Sequence, residues 1–198
     1  HARRGDRVLL VWMTRGELAS HFQGVPLEET ARVREGHGAH VAGLLGAEYR
    51  FLPFRDTFLT GGREEALALA RLMAEFRPQA VVTWDPLDVH PDHRATHQAV
   101  LSALKLCRIP KVVGEAHREP VRLYHYPRRD LYRPTLYVDV TETEEVAEAV
   151  FSFYQGFYRW PLTLEEFRSF RRLRGREAGV RFAEAFQTEA PPAWPGLP

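Results

Sequence analysis

The stretch QAVVTWDPLDVHPDHRATHQAVLSALK, residues 79–105, decides the fold of this chain. Its first six residues are mostly apolar and β-branched, which predicts a buried parallel strand. Residues 94–105 are rich in helix formers and carry an apolar stripe, and Pro91 suits the first turn of that helix. The segment Asp88-Val89-His90-Pro91-Asp92-His93 therefore lies between the end of a strand and the start of a helix. Open α/β sheets bind their ligands at this position.

Strand and helix patterns alternate along the rest of the chain. This alternation predicts an α/β fold with a mostly parallel sheet and helices on both faces. Thr141-x-x-Glu144 and Thr163-x-x-Glu166 are typical of capping boxes that open helices. We expect a single domain over residues 1–189 and a proline-rich tail at 190–198. The predicted strands are 8–13, 48–52, 79–84, 121–126 and 135–140, and the predicted helices are 29–45, 63–76 and 91–105.

The residues at this strand–helix junction are suited to metal binding. A helix N-terminus carries partial positive charge, which disfavours imidazolium, and neutral imidazole is the form that binds a metal. The neighbouring carboxylates can orient the histidine rings. A histidine-rich helix cap is the alternative, and four metal-competent side chains within six residues make it the poorer one. His97 lies four residues after His93 on the same helix face and is a second-choice ligand, although a surface or packing role is favoured.

The composition limits the classes of function. The chain has 198 residues, 44% of them hydrophobic, and a net charge of +1, which gives no electrostatic case for nucleic acid or an anionic membrane. No apolar stretch is long enough to span a bilayer, and we expect a cytoplasmic protein. The single Cys107 excludes an internal disulfide framework and is expected to be a buried small hydrophobe. The aromatic residues between 151 and 160 predict core packing or a subunit contact, which leaves a homo-oligomer open.

The segment His90-Pro91-Asp92-His93 resembles the second signature of the PIG-L/LmbE family of zinc-dependent N-deacetylases. The similarity covers nearly the whole chain and implies a Rossmann-like form of the α/β fold. Further segments agree with the family in the same order: Thr14-Arg15-Gly16-Glu17, Arg34 ahead of Leu44-Leu45-Gly46, Phe51-Leu52-Pro53-Phe54-Arg55-Asp56, Arg174-Gly175-Arg176-Glu177, and 179–186.

The resemblance implies roles for five residues. His93 corresponds to a zinc-binding histidine, and His90 to a histidine that stabilises the oxyanion of the tetrahedral intermediate. Asp92 would hold and polarise His90. Arg34 would reach into the substrate site, and Asp56 would lie on the same rim, where it suits sugar hydroxyls.

Alternatives exist for several of these roles. Arg32 replaces Arg34 if the register slips, and Glu17 is another candidate at the ligand-binding edge. His37 and His40 are expected to be partly exposed. Asp88 is suited either to hydrogen-bonding a histidine or ligand, or to shaping the turn.

The implied reaction removes an N-acetyl or other N-acyl group from a small amino-sugar-like substrate, with Zn²⁺ as cofactor. Family members open with an H-P-D-D-E-like motif that supplies two zinc ligands and a general base, and this sequence contains no such motif. We therefore expect the first strand and motif to be absent from the chain as given. Two alternatives stay open: a catalytically degenerate relative that binds a sugar-like ligand without hydrolysis, and a metallohydrolase that uses His90, His93 and His97 alone. A nucleotide-binding Rossmann protein is disfavoured because no G-x-G-x-x-G follows a strand.

Overall fold

The computed structural model describes residues 1–127, 134 and 136–188. The predicted proline-rich tail at 190–198 and Thr135, the first residue of the last predicted strand, lie outside the described residues. The elements are β1 (Leu9–Thr14), α1 (Leu27–Leu45), β2 (Glu48–Phe54), α2 (Arg63–Phe76), β3 (Ala80–Thr83), α3 (Pro91–Leu106), α4 (Pro110–Val113), β4 (Arg122–His125), β5 (Leu136–Asp139), α5 (Glu144–Tyr158), α6 (Leu164–Ala178) and β6 (Ala183–Phe186), with 3₁₀ turns at Ala2–Arg4 and Thr141–Thr143.

The strands pair as an α/β protein requires. β1 lies parallel to β2, and β3 lies parallel to β4, while β5 and β6 form a further pair. The chain divides into two compact units. The first unit comprises His1–Leu59 and Asp139–Ala183, and the second comprises the described residues from Thr60 to Val138 and from Glu184 to Thr188.

In the first unit, helix α1 packs closely against the β1–β2 pair. A Cβ atom at Gly38 would lie 2.5 Å from the ring of Phe51, so only glycine permits this approach. Phe51 in turn stacks on Trp12 of β1, with ring centroids 4.8 Å apart. Helix α5 carries the buried side chains of Phe151 and Tyr158.

The two predicted capping boxes have different outcomes. Thr163 and Glu166 form a capping box at the start of α6, as predicted. The box predicted from Thr141 and Glu144 was wrong, because α5 begins without a side-chain cap and residues 141–143 form a 3₁₀ turn. The Thr141 hydroxyl instead accepts a hydrogen bond from the backbone N–H of Phe182. Glu144 instead pairs with a buried arginine of α6. Tertiary contacts thus outcompete the local cap.

In the second unit, α2 and α3 pack against each other through small side chains. Ala70, Ala99 and Ala103 are fully buried, so the two helix backbones approach closely. Cys107 is also fully buried, as predicted, and burial raises the pKa of its thiol. Strand β3 differs from expectation, since Val82 is 49% exposed and the strand is only half-buried. None of the helices that the structure describes combines the length and apolar character needed to cross a bilayer.

Candidate functional site

The loop between β3 and α3 is shaped by Asp85. This residue is 2% exposed. Its carboxylate accepts a hydrogen bond from the backbone N–H of Leu87 at 2.8 Å, and its carbonyl accepts one from the N–H of Asp88 at 3.1 Å. The loop then enters α3 through His90 as the N-cap and Pro91 as the first helical residue. The predicted placement of the histidine cluster at the C-terminal end of a parallel strand is confirmed.

His93 stacks on two aromatic rings and lies beside a carboxylate. The Trp84 ring is parallel to it at 3.7 Å, and the His90 ring lies at 4.6 Å on a 27° tilt. His93 Nδ1 is 3.1 Å from Asp88 Oδ1. The same Asp88 oxygen accepts a hydrogen bond from the His90 backbone N–H at 2.8 Å, while His90 Nδ1 accepts one from the Asp92 backbone N–H at 3.2 Å. The structure thus brings His90, Asp92 and His93 together with Asp88.

The protonation states of this cluster follow from burial and hydrogen bonding. Burial lowers the pKa of His93 and outweighs the opposing effect of Asp88. Burial also works to raise the pKa of Asp88, but the hydrogen bond from the His90 N–H and the contact with His93 together hold it below its usual range. Near neutral pH the pair is therefore a neutral imidazole facing an ionised carboxylate.

A buried pair of histidines lies behind this cluster. His97 is 5% exposed, and its Nδ1 lies 2.8 Å from the carbonyl oxygen of Trp84. His125, at the end of β4, is 7% exposed and lies 3.5 Å from Asp85 through its Nδ1. The His97 and His125 rings meet edge to face at 5.7 Å. His97 is therefore a packing histidine, and its part in metal binding stays a prediction.

Sequence reasoning did not find His125. Its partner Asp85 directly follows the predicted strand 79–84, which is a signal for the ligand-binding edge. No local signal identifies His125, because its place opposite Thr83 depends on the β3–β4 register.

Arg34 lies in the first unit and is held by Tyr158. Its Nη1 donates a hydrogen bond to the Tyr158 hydroxyl at 2.9 Å, and that hydroxyl lies 3.0 Å from His37 Nδ1. His37 is buried, contrary to expectation, whereas His40 is exposed. Burial, the Arg34 charge and the neighbouring His40 lower the pKa of His37. A neutral His37 ring can accept the Tyr158 proton, which leaves the phenol oxygen to accept from Arg34.

Gly16 makes room for this arginine. A Cβ atom at Gly16 would lie 2.0 Å from Arg34 Nε, which is closer than any real contact. Arg34 Nε is itself buried and has no hydrogen-bond partner among the described residues. The alternative Arg32 is exposed.

Asp56 ties two loops of the first unit together. Its Oδ1 accepts a hydrogen bond from the Thr14 hydroxyl at 3.2 Å, and its Oδ2 accepts one from the Leu18 N–H at 3.3 Å. Glu17 accepts from the Asp56 N–H through Oε1 at 2.9 Å. Glu17 Oε2 is buried and has no hydrogen-bond partner within the described residues. Asp56 thus has a clear structural task, and its predicted contact with sugar hydroxyls is not tested by these bonds.

The fit of a metal ion to these residues is partial. His93 has the donor chemistry that zinc requires. Within residues 1–127, 134 and 136–188, however, no three His, Cys, Asp or Glu side chains cluster closely enough to hold a metal ion. A catalytic zinc typically has about three protein ligands, so the described residues do not fit a complete zinc site.

Comparison with known sequences identifies relatives. Residues 1–104, just over half the chain, match the PIG-L family, described as GlcNAc-PI de-N-acetylase. A protein of Streptomyces griseus named 1D-myo-inositol 2-acetamido-2-deoxy-alpha-D-glucopyranoside deacetylase is 31% identical over 113 residues, which are 55% of this chain and 34% of that protein. The chain thus spans about a third of the length of this relative.

Two solved structures are similar over almost the whole chain. The conserved protein TT1542 from Thermus thermophilus gives a TM-score of 0.84 at 28% identity, covering 98% of this chain and 86% of that chain. GalB, the 4-carboxy-2-hydroxymuconate hydratase from Pseudomonas putida, gives 0.88 at 18% identity, covering 100% of this chain and 90% of that chain. The hydratase shows the fold alone at this identity. Together they confirm the predicted Rossmann-like α/β fold class.

Proposed function

Because the chain belongs to the PIG-L family of de-N-acetylases, we propose that it hydrolyses the N-acetyl or another N-acyl group of a small amino-sugar-like substrate. The observation that carries this proposal is the His90–His93 pair at the start of α3, with Asp88 and Asp92 beside it. The matching Streptomyces griseus protein is named for a 2-acetamido sugar, which supports the substrate class.

His90 is the residue assigned to the reacting carbonyl. Hydrolysis of an amide passes through a tetrahedral intermediate whose oxygen carries negative charge, and a fixed hydrogen-bond donor stabilises it. His90 stands at the N-cap of α3, where the helix dipole adds positive potential. Removing a comparable donor typically lowers the rate by about 10²–10³. Asp92, whose backbone holds His90, is proposed as its positioning partner.

Arg34 is proposed as a substrate-binding residue. A planar guanidinium with several donors suits a hydroxyl, carboxylate or phosphate on the substrate, and Tyr158 fixes its direction. Asp56 is proposed to assist. An ionised carboxylate has about four acceptor positions, of which two are occupied by Thr14 and Leu18. The remaining acceptor positions suit the hydroxyl groups of a sugar.

Zn²⁺ is the cofactor proposed, with His93 as one donor. Zinc would polarise the acyl carbonyl and activate a water molecule. The described residues hold no group of three metal-binding side chains. The alternative proposal is a protein that binds a sugar-like ligand without hydrolysing it.

The test measures acetate release from N-acetylglucosamine-containing substrates, with and without added Zn²⁺. His90→Ala should lower the rate but keep any bound metal, and His93→Ala should lower the metal content. His40→Ala, an exposed histidine of α1, is the matched control. Loss of metal in His90→Ala with retention in His93→Ala would reverse the assignments. Sugar binding without acetate release would favour the non-catalytic alternative.

A further inference from the structure

The two histidines at the start of α3 have different neighbours at the same ring nitrogen: Nδ1 of His90 faces a hydrogen-bond donor, and Nδ1 of His93 faces an acceptor. We propose that His90 and His93 are held in opposite neutral tautomers, with the proton of His90 on Nε2 and the proton of His93 on Nδ1. Asp88 is the positioning residue that fixes His93. This inference deepens the proposed function and rests on it for its chemical purpose, but the contacts that define it do not depend on activity.

The tautomer of His90 is set by a backbone donor. Its Nδ1 lies 3.2 Å from the backbone nitrogen of Asp92 and accepts that hydrogen bond. A backbone N–H can only donate, so Nδ1 must present a lone pair. In a neutral imidazole the other nitrogen then carries the proton. His90 therefore presents Nε2–H as a hydrogen-bond donor.

The tautomer of His93 is set by a carboxylate. Its Nδ1 is buried and lies 3.1 Å from Asp88 Oδ1, off the ideal hydrogen-bond direction, and it has no regular hydrogen bond among the described residues. An ionised carboxylate only accepts, so a lone pair on Nδ1 would be repelled at this distance. Asp88 is itself held by the His90 N–H at 2.8 Å. The proton of His93 therefore lies on Nδ1, and Nε2 presents the lone pair.

Stacking holds the His93 ring in this orientation. Trp84 is parallel to the ring within 2°, and the His90 ring stacks on it with centroids 4.6 Å apart. The Trp84 backbone is in turn held by His97 through its carbonyl oxygen at 2.8 Å. Stacking fixes the plane of the ring, and a 180° flip about the Cβ–Cγ bond would turn a carbon atom instead of Nδ1 toward Asp88, so the contact with Asp88 selects between the two flips.

The two tautomers give the two histidine side chains different hydrogen-bonding roles. His90 offers a donor at Nε2 to a developing oxyanion, and His93 offers an acceptor at its own Nε2. The sequence alone left Asp88 open between this role and the shaping of a turn.

The experiment is two-bond ¹⁵N–¹H correlation NMR on ¹⁵N-histidine-labelled protein without metal, at about pH 8, where an ordinary imidazole is neutral. Signals are assigned by His90→Gln and His93→Gln. We expect the Nε2–H pattern for His90 and the Nδ1–H pattern for His93. In Asp88→Ala no carboxylate faces Nδ1, so His93 should change to the Nε2–H pattern. Asp92→Asn keeps its backbone N–H, so the His90 pattern should stay unchanged.

The wild-type spectrum decides even if Asp88→Ala fails to fold. An Nε2–H pattern for His93, the form that free histidine prefers in water, would overturn the proposal, as would an unchanged His93 in a folded Asp88→Ala variant. Because the spectra need no turnover, opposite tautomers in a protein without deacetylase activity would uphold this inference and contradict the proposed function. Deacetylase activity in a protein whose two histidines have the same tautomer would uphold the proposed function and contradict this inference.

Discussion

Replacing Gly16 by alanine should displace Arg34, the proposed substrate-binding residue. Gly16 has φ +67°, and a Cβ atom there would meet Arg34 at 2.0 Å from Nε and 2.7 Å from Cζ. Gly24 provides a matched control, because it has φ +75° but nothing within 4 Å of its Cβ position. The two alanine variants therefore share the backbone strain and differ in the steric conflict.

The free energies of unfolding follow from these contacts. An alanine in the left-handed region costs roughly 1–2 kcal/mol, and Gly24→Ala should show that cost alone. Gly16→Ala should in addition break the hydrogen bond from Arg34 to Tyr158, and hydrogen bonds to charged groups contribute about 1.5–3 kcal/mol. Gly16→Ala should therefore be less stable than Gly24→Ala by about 2 kcal/mol.

Urea unfolding at neutral pH measures this difference. In an Arg34→Ala background the steric partner is gone, so Gly16→Ala and Gly24→Ala should become equally destabilising. The substrate KM of Gly16→Ala should rise while that of Gly24→Ala stays unchanged. Equal stabilities of Gly16→Ala and Gly24→Ala in the wild-type background would refute the reasoning, since they would mean that Arg34 moves aside without any loss of unfolding free energy.

Three further predictions concern stability. Glu144→Gln should lower the unfolding free energy by about 3 kcal/mol in urea titration because it removes the carboxylate from a buried ion pair with Arg171, whereas Glu145→Gln, whose ion pair is exposed, should leave the midpoint nearly unchanged. Burial and Arg34 lower the pKa of His37 in the folded protein, so its stabilising contribution is present above about pH 6.5 and is lost as pH falls through the lower folded pKa. The difference in unfolding free energy between wild type and His37→Gln should therefore become smaller on acidification. A difference that does not change with pH would contradict this. Thr163→Ala removes a formed cap and should cost about 1 kcal/mol, measured by thermal unfolding.

Local signals predicted most of the elements. Helix α2 has the predicted bounds, Arg63–Phe76, because Gly61-Gly62 and Arg77-Pro78 interrupt the chain on either side. Strand β2 is longer than predicted and reaches Phe54, since parallel pairing opposite Thr14 continues past Pro53. The cap at Thr141 failed because a distant arginine competes for Glu144. Features set within a few residues were predictable, and features set by long-range partners were not.

The same distinction holds for the candidate site. The motif around His93 was predicted because its residues are adjacent in sequence. The contact between Arg34 and Tyr158 joins residues 124 positions apart, and no periodicity or spacing reveals it. His125 is likewise brought beside Asp85 by strand pairing. The residues of a motif can therefore be named from sequence, while the partners that fix their orientation require the structure.

The fold alone does not determine the reaction, because the hydratase GalB has a similar fold. The choice rests on the family match and on the histidine pair. Deacetylation places negative charge on a carbonyl oxygen, which the N-cap position of His90 suits, and releases an amine. Hydration of a carbon–carbon double bond instead requires a proton delivered to carbon. Supplied with both an N-acetylated amino sugar and 4-carboxy-2-hydroxymuconate, the protein should release acetate and free amine while the absorbance of the unsaturated acid stays constant. Loss of that absorbance without acetate release would show that the protein is a hydratase like GalB and that the family match had indicated the wrong reaction.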